Sequence, residues 1–271
     1  MKKIKSILIL LSIFPIVVFS QGRVDGFFKG KGNLDFVLGG GLEANDKYFA
    51  GTKKVGLTRT VVSYNAFLAY GITKSLDVNM SLPYVDVNGV ENDFQDYAIF
   101  LKHKVLDKNG WTISLASGFS SNIGDYQTEG GSAIGQKAKT IDGRLIVHYF
   151  APNGIFFTGQ AGYSYRYDPV PNSIPLTLKG GLAKSNYYID FWYDFQHGIG
   201  GFDYRGDPRS PTFRALGVSY HKIGATFYKP ILKHLGAYVG TSYVLTGRNV
   251  SQGVGVNVGI VLKHFKKKVN E

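Results

Sequence analysis

Alternation of apolar and polar side chains with a period of two runs through most of the chain after its first twenty residues. Val62, Tyr64, Ala66, Leu68 and Tyr70 make one face of a segment whose other face is Ser63, Asn65, Phe67 and Ala69. After residues 71–74 the pattern resumes, with Leu76, Val78, Met80, Leu82 and Tyr84 opposite Asp77, Asn79 and Ser81. Residues two apart share a face only in an extended strand, so the two segments read as a hairpin. The same alternation marks residues 97–105, 111–119, 145–149, 157–165, 174–182, 187–195, 216–220 and 254–262. With further strands near residues 32–42 and 235–245, the count is about twelve, an even number of the kind found in bacterial outer-membrane barrels. Between Tyr220 and Ile223 the apolar parity flips, which predicts a bulge in one long strand, the alternative being an extra turn at His221 and Lys222.

Connections alternate in length. Residues 71–74, 107–110, 151–154 and 183–186 read as tight turns, and residues 43–57, 86–95, 121–140 and 197–212 as long polar loops. Short turns on one side and long loops on the other are the outer-membrane pattern. A soluble antiparallel sandwich also alternates. Against it stand the strand count, the charges on the polar faces, and the aromatics near strand ends (Tyr70, Tyr84, Tyr97, Trp111, Tyr149, Tyr163 and Tyr187), where a membrane interface places them. The expected fold class is therefore all-β, an antiparallel transmembrane β-barrel of outer-membrane type.

Export is legible at the start of the chain. Lys2, Lys3 and Lys5 precede an apolar run at residues 7–19, and Val18 and Ser20 stand before Gln21 as a signal peptidase requires. The run is shorter than a membrane-spanning helix needs. Residues 1–20 are thus expected to be a signal peptide, 21–31 an N-terminal segment, 32–265 the barrel, and 266–271 a basic tail. The expected location is the outer membrane of a Gram-negative bacterium. The 35 Gly, 18 Tyr and 19 Phe suit strands and turns, and the absence of Cys excludes disulfides, thiolate metal sites and a lipid anchor on cysteine. Net charge falls from +12 to +9 when the three signal lysines are removed. That balance suits contact with outer-membrane lipids and lipopolysaccharide, and in a structural or surface-interaction barrel Lys47, Lys53, Lys54, Arg205 and Arg209 would serve loop contacts with lipopolysaccharide or a partner; export argues against nucleic acid.

Parity places Asp77, Asn79, Lys102, Lys104, Asp142, Arg144, His148, Gln160, Arg166, Lys179, Asp190, Trp192 and Asp194 inside the barrel, lining a pore. Both signs are present, so the expected interior is salt-bridged and partly filled. A tight turn at 183–186 would set Lys179 directly opposite Asp190. No catalytic constellation is expected. The six histidines are scattered, and only His148 points clearly inward, with Asp142 on its strand and Ser164 on the next. Gly39-Gly40-Gly41 lacks the Lys and Ser/Thr of a phosphate loop. No enzyme activity, cofactor or metal site is read from the sequence.

Tyr70-Gly71-Ile72-Thr73-Lys74-Ser75-Leu76 followed by Ser81-Leu82-Pro83-Tyr84 resembles a hairpin of the outer-membrane transporters associated with meta-pathway phenol degradation. Gly118-Phe119-Ser120 with Asn122, Gly124, Asp125 and Tyr126, and Tyr163-Ser164-Tyr165-Arg166, are similar to other short stretches of that family, although Asn122-Ile123 replaces its usual Pro-Thr. The resemblance implies a barrel related in form to long-chain fatty acid channels, passing small hydrophobic or aromatic molecules. The alternative is a structural or surface-interaction barrel with a closed lumen and no transport. Phe27 and Phe28 fall outside the lipid-facing alternation; residues 21–31 are either a disordered leader or a plug tucked into the barrel, and the resemblance favours the plug.

Overall fold

The computed structural model describes residues 24–265; the expected signal peptide and basic tail lie outside the described residues. Thirteen strands follow one another: β1 (Leu34–Ala50), β2 (Lys53–Gly71), β3 (Leu76–Val87), β4 (Glu91–Phe94), β5 (Asp96–Lys108), β6 (Trp111–Asn122), β7 (Thr140–Phe150), β8 (Ile155–Arg166), β9 (Ser173–Ala183), β10 (Tyr188–Gly198), β11 (Ser219–Leu232), β12 (Leu235–Arg248) and β13 (Val250–His264). All neighbours are antiparallel, and β1 pairs with both β2 and β13, so the sheet closes on itself and leaves no edge. The short β4 folds back on the outer end of β3, which leaves twelve strands in the wall. A single 3-10 turn, Phe213–Ala215, interrupts the connection from β10 to β11.

The inside-out distribution of side chains identifies the medium. Leu115 and Leu145, paired across β6 and β7, are 54% and 48% exposed on the outer surface, while Asp77, Lys102 and Asp190 are almost fully buried inside. A barrel folded in water would invert that arrangement; a bilayer requires it. Trp111 stacks near Tyr149 at the turn end of the wall, with ring centroids 4.8 Å apart. Tyr84 meets Phe94, and Tyr97 meets Phe119, toward the other end. These pairs sit where two aromatic girdles would lie.

Two expectations need correction, and a third, the bulge near Tyr220, is met with its extra residue on the neighbouring strand. Residues 43–57 are not a loop: β1 and β2 continue as a paired ribbon to a turn at Gly51, whose φ of +58° suits glycine. Alternation fades there because beyond the membrane the outward face meets water and need not be apolar, while the hydrogen-bond ladder continues without it. On β9 and β10, Lys179 stands opposite Trp192, not Asp190, because the turn occupies residues 184–187. A register shift of two residues preserves every inward and outward assignment, and Lys179 still reaches Asp190 diagonally, at 3.2 Å. Finally, the irregularity near His221 and Lys222 is a bulge whose extra residue, Leu245, belongs to β12. The apparent flip on β11 arises because Tyr220 faces inward and lines the lumen.

Candidate functional site

The lumen is built around the segment that precedes β1. Residues 24–33 run inside the barrel, so Phe27 and Phe28 are neither free nor lipid-facing. Val24 packs with Ala98, Phe100, Ala116 and Ile146, and its carbonyl accepts a hydrogen bond from Gln160 Nε2 at 2.6 Å. Lys102 Nζ donates to the carbonyls of Asp25 and Phe27 and lies 3.3 Å from the Asp25 carboxylate and 3.7 Å from Asp77. The Lys29 amide donates to Asp77 at 3.0 Å. Backbone bonds between Gly32 and Gly71, and between Gly71 and Asn33, fasten the segment at the turn end.

Phe27 sits edge-on against His148, with ring centroids 4.6 Å apart, and against Phe156 at 5.1 Å; Phe150 and Tyr188 complete the cluster. Phe28 lies under the ammonium groups of Lys102 and Lys104, 4.3 and 4.8 Å from its ring centroid. Gly26 permits this approach: a Cβ there would fall 2.3 Å from His148 Nδ1.

The segment covers one side of the lumen and leaves the other open. A lower cavity of about 750 Å³ lies beside Phe27, toward the short-turn end, and an upper one of about 760 Å³ lies toward the long loops. Glu43, Arg59, Gln95, Asp96 and Ile134 line both, so the two chambers meet at that ring. An ion pair stands at the ring, with Lys222 Nζ 2.6 Å from the Glu43 carboxylate.

The connection at residues 123–139, expected as an external loop, folds inward and forms part of the ring. Ile134 packs with Tyr126, Val61, Val85 and Val87. Arg59 donates to the Ala133 carbonyl at 2.7 Å, and Gln95 to that of Ile134 at 3.0 Å. Tyr126 donates its hydroxyl to Asp96. Burial, together with the Asp96 carboxylate, raises its phenol pKa well above the usual range, so it stays a donor. Gln136 Nε2 lies 3.0–3.2 Å from the carbonyls of Phe213, Arg214 and Leu216, which ties this loop to the one after β10.

That second loop is latched in turn by Asn249, in the turn between β12 and β13. Its side chain accepts from the Gly51 and Tyr204 amides at 2.9 and 2.8 Å and donates to the carbonyls of Phe202 and Gly217, each at 2.9 Å. Asn249→Ala should cost about 1–3 kcal/mol, the desolvation penalty of groups left unpaired, and should open residues 199–218 to protease. Asn249→Gly, which accommodates the φ of 52°, should release the loop equally with a smaller loss of thermal stability. Unchanged proteolysis in both variants would refute the latch.

The thirteen residues expected inside do not form one surface. Asp142, Arg144, Arg166 and Asp194 line the upper chamber and Lys179 the lower. Asp77, Lys102, Lys104, His148 and Gln160 instead bond to or stack against the inner segment or its surroundings. Asn79, Asp190 and Trp192 are buried within the wall. Ser164 donates to Asp142 at 2.6 Å, whereas His148 bonds Thr158 at 2.7 Å, so the three do not assemble as serine, base and acid. Sequence reasoning missed Glu43 because it opens the stretch read as loop, Arg59 because it falls between that stretch and the alternation beginning at Val62, and Lys222 because of the parity flip. Ile134 had one signal, an apolar residue inside a Gly/Ser-rich connection.

No protein-family model matches the chain, and no curated protein matches it. Solved structures do. An outer membrane channel from Pseudomonas putida F1 superposes with a TM-score of 0.69 at 13% identity, over 89% of this chain and 100% of that one. The NanC porin gives 0.55 at 11% identity, covering 84% and 98% of the two chains, and the KdgM porin 0.54 at 10%, covering 86% and 99%. Likeness at such identities lies in the architecture, and the architecture of this chain is that of the outer-membrane barrels.

Proposed function

We propose that this chain is an outer-membrane channel that passes small hydrophobic or aromatic solutes, exported by the N-terminal signal read above. The observation that carries the proposal is the pair of chambers meeting at the Glu43 and Arg59 ring, which together extend from the long-loop end toward the short-turn end. Phe27, Phe67, Tyr188 and Tyr238 face the lower chamber, and such walls suit an aromatic solute better than a sugar. The neighbours' names, channel and porin, support the reading. In this setting the outer apolar belt contacts lipid, and Lys47, Lys53, Lys54, Arg205 and Arg209 meet lipopolysaccharide phosphates.

A closed structural barrel is the competing reading, favoured by the inner segment and the inward loop, both of which narrow the lumen. Deleting residues 21–31 separates the two. The deletion should raise conductance in planar bilayers and uptake of a small aromatic compound by liposomes, because the lower lumen widens. A deletion variant no more permeable than a full-length protein that never conducts would hand the case to the structural reading.

A further inference from the structure

We infer that the lower chamber prefers small amphipathic anions, an aromatic or short-chain carboxylate, within the solute class proposed above; the inference rests on that channel reading. Its basis is which charges facing the chamber are already engaged. Asp25 is held by Lys102, Asp35 by Lys29 at 2.8 Å, Glu43 by Lys222, and Asp96 by the Tyr126 hydroxyl. Among the cations, Lys29 and Lys179 are engaged likewise, with Asp35 and Asp190, and Arg59 is occupied by the Ala133 carbonyl at 2.7 Å.

Lys184 and Lys263 differ. Both face the chamber at its short-turn end, and neither forms an ion pair among the described residues. Lys263 Nζ lies 4.7 Å from the ring centroid of Tyr228, a contact that leaves its other hydrogens available. The chamber therefore offers apolar walls together with two available ammonium groups, while Asp25, Asp35 and Glu43 are ion-paired and Asp96 is hydrogen-bonded to Tyr126. A neutral aromatic gains only the walls, and an organic cation meets like charge. A carboxylate on an apolar body gains from both, and the chamber's size lies within the range of small-molecule pockets.

The test uses the full-length chain in liposomes near neutral pH, with flux into protein-free liposomes subtracted. Benzoate should enter faster than benzylammonium by about fivefold, the scale of one charge contact that keeps access to water. Replacing both lysines, Lys184→Met with Lys263→Met, should remove that preference, and the corresponding pair of Arg replacements should restore it. Equal entry of the two probes, or a preference that survives the double Met variant, would overturn the inference and leave the channel reading standing. Entry of neither probe would sink both.

Discussion

Lysine in place of Met80 should lower the unfolding free energy in lipid by about 2–4 kcal/mol, the range for lysine on the lipid face near mid-bilayer. Met80 lies outside the wall, 42% exposed, between Leu68 on β2 and Ile99 on β5. Along β3 and its partners, Tyr70 marks the short-turn end and Tyr84 with Phe94 the other, so Met80 stands well inside the apolar belt. The neighbouring Ser81 points the opposite way and lines the lower chamber. Ser81→Lys puts the same charge into a cavity water can enter and should change stability by roughly 0.5 kcal/mol, as at an ordinary surface site. Urea unfolding in lipid vesicles measures both. Comparable losses would mean the outer face does not meet lipid.

Position in the bilayer is one property that parity could not supply. On alternation alone, Val78 and Asn79 are an equally good pair for this test. The structure sets Val78 opposite Tyr70, closer to the interface, and buries Asn79 to 4% exposure, where lysine has no room. Alternation specifies a face and is silent on height and on what lies across the lumen.

The limits of the sequence have specific causes. Wall strands were legible because lipid on one side and a polar lumen on the other impose a period of two. The outer ends of β1 and β2 were not, since beyond the membrane their outward face is wet and need not be apolar. The Lys179 register was ambiguous because a shift of two residues leaves every face unchanged, and only turn geometry, set by the Lys184 to Tyr187 backbone hydrogen bond, resolves it. The inward fold of residues 123–139 depends on distant partners, Arg59, Gln95 and Arg214, whose approach no local pattern records. Phe27 and Phe28 left one signal: adjacent aromatics that fit no lipid face need partners elsewhere, and Phe156 supplies an apolar one to Phe27 while the Lys102 and Lys104 ammonium groups lie over the face of Phe28.

Lys102 is where the wall and the inner segment depend on one another, and its replacement by methionine should produce the other large effect. The side chain is 1% exposed, and its ammonium serves Asp25, the Phe27 carbonyl, the Phe28 ring and the fully buried Asp77. Removing one partner of a buried charge pair leaves the other uncompensated, at about 3–5 kcal/mol. That loss should appear in the full chain. With residues 21–31 deleted, Lys102 instead faces an emptied, water-accessible lumen, where an ion pair contributes roughly 0–1 kcal/mol. The same substitution in the deletion background should therefore be mild, and the difference between the two losses measures the coupling between wall and segment. In bilayers, Lys102→Met should by itself move conductance toward that of the deletion variant, because the tether at Asp25 and Phe27 is gone. Equal losses in the two backgrounds, with conductance unaltered, would show that the segment is held by its apolar contacts at Val24 and Phe27 and that Lys102 serves only Asp77.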